Sequence, residues 1–233
     1  MVAPAPIPAT EPGRRLALWL TFLAGYVDTA GYVALQGLFT AHVTGNFVTI
    51  GASLLHGTTG SVVKIAALPV FCGGLVLWRV VTWGLPAGRV MRVSLVAQAV
   101  LLALGGVEAG VILPGHHGDS WQEILTGLTL VAAMSIQNGL QRLHLPRHPP
   151  GTLMTGTTTQ VWLDVAVLLR GSAAERTAAR ARFGPMGRQV LIFAAGCAAG
   201  AAAVGLLHTW CFLPAVAFAV GALRHVPQDE GSA

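Results

Sequence analysis

Eight apolar runs, parted by short gaps that hold most of the charge, leave this chain no means of covering a water-facing globule. The runs lie at roughly 16–36, 40–56, 62–83, 92–113, 122–141, 152–169, 189–207 and 210–223. Charged residues make up 10% of the chain and hydrophobic residues 54%, whereas a soluble domain carries about 25% charged residues. A spanning helix needs about 20 apolar residues. Most of the runs meet or approach that length; the second, sixth and eighth are short. The expected fold class is an all-α integral membrane protein.

The net charge of +5 raises the question of nucleic acid, but its placement answers against it. Of the 14 Lys and Arg, only Lys64 and Arg79 fall inside an apolar run. This is the pattern of basic cytoplasmic loops. If all eight runs cross, Arg79, Arg89, Arg92, Arg142 and Arg147 lie outside. If the second and sixth instead enter and leave on one side, only Lys64 lies outside and the loop Pro114–Ser120 is external. The positive-inside rule selects the second arrangement: about six transmembrane helices plus two re-entrant or broken short helices, with both termini cytoplasmic.

The two short runs resemble one another. Val43-Thr44-Gly45-Asn46 aligns with Met154-Thr155-Gly156-Thr157, and Leu-Leu-His56-Gly57 with Leu-Leu-Arg170-Gly171. Each half then has an odd number of crossings, which makes an inverted internal repeat, a recurrent plan of transporters and channels. The expected organisation is a disordered cytoplasmic tail over 1–15, a first membrane repeat over 16–115, a second over 116–225, and a cytoplasmic tail over 226–233. The first run is read as a retained span, since it exceeds a signal-peptide core of about 7–15 residues. The basic stretch 171–188 reads as a cytoplasmic loop, with a surface helix as the alternative.

Polar residues within the apolar runs are costly and mark sites. Asp28, in the first run, is the candidate for ion or proton coupling, against a structural role locking the bundle. Gln137 and Asn138 hold the corresponding place in the fifth run, as cavity lining or as interhelical glue. If each Thr-Gly turn starts a helix inside the membrane, its free N–H groups and dipole favour an anion or a carbonyl oxygen. Thr44, Gly45, Asn46, Thr155, Gly156 and Thr157 are therefore, with Gln137 and Asn138, the expected substrate-binding residues. Asp164 faces a cavity or pairs with Arg170. His42 and His144 flank the site, as the side-chain type whose ordinary pKa lies closest to neutral pH. His116-His117 with Asp119 reads as an exposed loop rather than a metal site. Cys72, Cys197 and Cys211 are odd in number and lack metal spacing. No nucleotide, hydrolase or protease motif is present, so neither enzymatic activity nor a cofactor or metal is expected.

Gly25-Tyr-Val-Asp-Thr-Ala-Gly-Tyr32, Gly37-Leu-Phe-Thr-Ala-His-Val-Thr-Gly-Asn46, Ser135-Ile-Gln-Asn-Gly139 and Met154-Thr-Gly-Thr157 together resemble the YoaK-type bacterial membrane family, grouped as a domain of unknown function. The resemblance spans about residues 16–223 and implies a bacterial inner-membrane protein with several spans, without supplying a substrate. Leu145-Pro-Arg-His-Pro-Pro150 is richer in proline than that family pattern. The functional expectation is a small-solute transporter, coupled to protons or cations, whose partners are the lipid bilayer and a solute of unknown identity. The alternatives are a passive channel and a non-transporting scaffold or accessory subunit. Gly196, Ala199 and Gly200 permit close helix contact, within one chain or in a homo-oligomer.

Overall fold

The computed structural model describes residues 13–56, 60–115, 119–152 and 154–227. Residues 1–12 of the tail expected over 1–15, the pair His116-His117 and residues 228–233 lie outside them. Every regular element among the described residues is helical: α1 Arg14–Ala34, α2 Gly45–His56, α3 Ser61–Val81, α4 Ala87–Val111, α5 Trp121–His144, α6 Met154–Arg170, α7 Ala173–Leu207 and α8 Leu213–Ala222. Arg14 and Arg15, expected in the tail, already belong to α1.

Helix lengths follow from their starts and stops. Ser120 caps α5, its hydroxyl accepting from the Glu123 amide. Ser172 and Glu175 form a reciprocal capping box on α7, and the Ser172 hydroxyl and amide hold the Glu175 carboxyl below its usual range. From that cap, an Ala-rich sequence of high helix propensity runs for 35 residues, roughly 52 Å at 1.5 Å per residue. The stretch 171–188 is therefore not a loop lying on a surface. It is the first half of a helix that continues into the seventh apolar run, and α6 packs along it. By contrast α2, at 12 residues, reaches only roughly 18 Å.

The long helices meet through small residues. Gly196 and Gly200 of α7 lie against the Phe22 and Tyr26 carbonyls of α1, and Gly25 of α1 against α7, so closely that a Cβ would collide with backbone. These glycines are thus used within the chain. On the other side Gly139 of α5 receives the Trp78 ring of α3, and Gly127 receives Val63. Both pairs, α1 with α7 and α3 with α5, run parallel. The antiparallel neighbours are α4 with α5 and α8 with α1 and α4. α2 packs on α3 as α6 packs on α7.

These contacts define two ends. At one, the N-cap of α3, Gly60, lies against Gln36 just after α1, Gly37 lies beside Lys64, and Gln36 donates to Glu123 near the start of α5 at 3.2 Å. Between Gly37 and Gly60 the chain turns inward to Asp28 and comes back as α2, so it leaves and regains the same end. At the other, Leu145 after α5 lies against Gly13 before α1, and Arg14, His148 and Arg188 line one small space. Here too the chain turns inward, to Asn138, before α6 carries it back. All Arg residues fall at or beyond this second end; Lys64 stands at the first.

Four stretches are long and apolar enough to cross a membrane by length and composition: Arg14–Ala34, Ser61–Val81, Ala87–Val111 and Ala173–His225. Large apolar side chains also face outward, among them Val76, Leu77, Val80, Trp162 and Leu206. A water-facing surface does not carry such a belt.

Candidate functional site

Asp28 sits about two thirds of the way along α1 with its side chain 6% exposed. One carboxylate oxygen accepts the Thr40 and Ala41 amides, each at 2.8 Å, and the Thr40 hydroxyl at 3.3 Å. The other lies 2.5 Å from His42 Nδ1. The extended chain here has no backbone partner of its own, and the carboxylate supplies one. Asn46 adds a second clasp: its carbonyl oxygen accepts the Phe39 amide and its amide donates to the Phe39 carbonyl, both at 2.9 Å. Asp28 and Asn46 thereby hold the inward turn from both sides.

This turn borders an open cleft of about 510 Å³, lined by Asp28, Thr29, Tyr32, Phe39, His42 and Gly45, together with Met154, Thr155, Phe193 and Cys197. The starts of α2 and α6 thus reach one cleft from opposite ends of the bundle. Of the expected binding residues, Gly45 and Thr155 line it beside Asp28. Thr44 and Gly156 are exposed, and Thr157 is buried. The amides of Gly45, Asn46 and Phe47 donate to the carbonyls of His42, Val43 and Thr44. The first turn of α2 therefore closes on itself rather than offering the free N–H groups expected there.

Gln137 is fully buried away from this cleft. It donates to the Leu20 carbonyl at 2.8 Å and accepts from Gln98 at 2.6 Å, linking α1, α4 and α5. Asn138 accepts the Thr152 hydroxyl at 2.6 Å and donates to the Met134 carbonyl. It lines a second open cleft, of about 460 Å³, with Phe71, Leu75, Arg79, Arg142 and Thr152 among its walls. Gln189 ties the second inward turn to α1 by donating to Thr21 and to the Pro149 carbonyl.

Asp164 pairs with Arg182 of α7 through two bonds, at 2.6 and 3.3 Å, and accepts from Gln160. Arg170 stands six positions further along α6, where about 100° per residue puts it on another face. The partner was missed because Arg182 reads as part of a loop in the sequence. His42 was visible as a neighbour of the Thr-Gly turn, but only the fold brings it onto Asp28. Among the described residues, no three His, Cys, Asp or Glu gather to hold a metal.

Taken together, the class is an all-helical chain, over its described residues, whose long apolar helices and outward apolar belt suit a membrane. The chain belongs to the DUF1275 family, proteins of unknown function, whose model matches residues 16–223. No curated protein and no solved structure matches it.

Proposed function

We propose that the chain is a small-solute transporter of the bacterial inner membrane, coupled to protons or cations through Asp28. The observation that carries this reading is the cleft in which a residue from each short helix, Gly45 and Thr155, meets the Asp28–His42 pair. A carboxylate with an imidazole nitrogen 2.5 Å away is placed to pass a proton across that contact, and the cleft is roomy enough for a small solute. A scaffold needs no such opening, with a carboxylate and an imidazole in its wall, between two inward turns.

The architecture behind the proposal is six crossings with two re-entrant helices in an inverted repeat. Exchange of α1–α4 with α5–α8 turns the α1–α7 packing into α5–α3, α1–α8 into α5–α4, and α2–α3 into α6–α7, all of them present. The return of each inward turn to its starting end, and the gathering of Arg residues at one end, support the same topology with that end cytoplasmic. In this arrangement α5 crosses with its polar residues turned inward.

The test is uptake by the full chain in proteoliposomes, with a panel of radiolabelled amino acids, sugars and organic acids under an imposed pH gradient. Some member of the panel should accumulate with the gradient, and Asp28→Asn should abolish that accumulation while leaving the chain folded. Full accumulation by the variant removes the coupling role. Flux indifferent to the gradient supports a passive channel. No flux, with no solute shifting thermal unfolding, returns the protein to the scaffold reading. Cysteines at Trp121 and Arg147 should label from outside and inside respectively; labelling of position 147 from outside would reject the re-entrant topology.

A further inference from the structure

The second cleft has a chemistry of its own. Its positions follow those of the first along the helices: Asn138 stands where Asp28 does, Gly139 where Thr29 does, and Arg142 where Tyr32 does, with Phe71 and Leu75 of α3 in the places of Phe193 and Cys197 of α7. The acid has become an amide, whose oxygen is used by Thr152, and guanidinium groups have been added. Arg79 and Arg142 both line the cleft. Neither pairs with a carboxylate among the described residues. Arg79 instead stacks over the Trp83 ring, 4.3 Å from its centre, and Trp83 is largely exposed.

The rest of the wall is apolar, formed by Phe71, Leu75 and Leu143, and Leu143 faces outward. The cleft thus presents hydrocarbon along its length and two unpaired cations at one end, beside an exposed tryptophan. That end is the one that collects the other Arg residues. A soluble anion would use the cations and leave the apolar wall empty. A lipid would use both, its acyl chain along Phe71 and Leu75 and its phosphate at the arginines. Basic pockets between helices at the cytoplasmic face suit acidic headgroups, and interfacial tryptophan suits the headgroup level.

We infer that the α3–α5 cleft is a binding site for an acidic phospholipid, with Arg79 and Arg142 holding its phosphate. The inference rests on the membrane orientation proposed above but not on transport, so it stands or falls separately from solute coupling.

The experiment is thermal unfolding of the full chain in a neutral detergent, with phosphatidylglycerol, phosphatidylcholine or inorganic phosphate added, paired with native mass spectrometry to count bound lipid. Phosphatidylglycerol should raise the unfolding temperature by on the order of 2–4 °C and remain bound as a discrete adduct. Arg79→Gln with Arg142→Gln should lose both effects. Arg89→Gln with Arg224→Gln, which removes the same charge at the same end outside the cleft, should keep them. Equal lipid retention by both double variants would overturn the proposal. So would equal stabilisation by phosphatidylcholine, and so would an equal shift with inorganic phosphate alone, which would make this a free-anion site. If the Arg79/Arg142 variant does not fold, the single substitutions to Gln are compared by adduct count, and undiminished adducts in both would again overturn it.

Discussion

The two halves of the chain fasten their short helices by different means. In the first, α2 is held at its start: Asp28 takes two amides of the inward turn and Asn46 clasps Phe39. In the second, no carboxylate holds the turn: the Asn138–Thr152 bond, Gln141 accepting the Gly151 amide and Gln189 donating to the Pro149 carbonyl do so, while α6 is locked along its length by Asp164 and Arg182. The Thr-Gly alignment puts Thr157 at the place of Asn46 and Ser53 at the place of Asp164, and Ser53 hydrogen-bonds within its own helix. A clasp at the turn fixes the backbone beside the cleft. A lock along the helix fixes the helix and leaves its start, at Thr155, bordering open space. The difference teaches that the fixed side of the site is the Asp28 side.

The largest effect should come from breaking the second half's lock. Arg182→Ala strands a buried carboxylate and should cost about 3–5 kcal/mol, read as a lowered thermal midpoint in detergent; Asp164→Asn with Arg182→Gln should recover part of it. Next, Asp28→Ala leaves the Thr40 and Ala41 amides without an acceptor and should cost about 2–4 kcal/mol. Asp28→Asn keeps an acceptor oxygen and should cost no more than about 1 kcal/mol, so the two variants separate fastening from proton exchange. Asn46→Ala should cost about 1–3 kcal/mol through the lost clasp on Phe39, with faster hydrogen exchange over residues 39–45. The smallest effect belongs to Thr152→Val, about 1 kcal/mol or less for one neutral bond. If Thr152→Val proves as damaging as Asp28→Ala, the contrast between the halves fails.

Much of the architecture is legible along the chain because it depends on local sums. The apolar runs mark the long helices, and the spacing of the arginines already gathers them toward one end before any contact is known. Thr44-Gly45 and Thr155-Gly156 mark the starts of the short helices, and Asp28 stands out as an acid in an apolar run. The continuous α7 is not legible in this way. Residues 171–188 carry the charge of a loop, and it is the capping box at Ser172 together with the pairing of Arg182 that keeps them helical.

The sequence by itself determined that this is a chain of membrane-type helices with two polar inward turns and a one-sided cationic face, since hydrophobicity and charge are properties of each segment alone. The tertiary structure alone decided who partners whom. Asp28 meets His42, Asp164 meets Arg182 rather than Arg170, Gln137 becomes an interhelical tie, and Asn138 lines a second, basic cleft. Those choices depend on which helix faces meet. The close seating of Gly196 and Gly200 on the α1 carbonyls, contacts between residues far apart in the chain, sets that for α1 and α7.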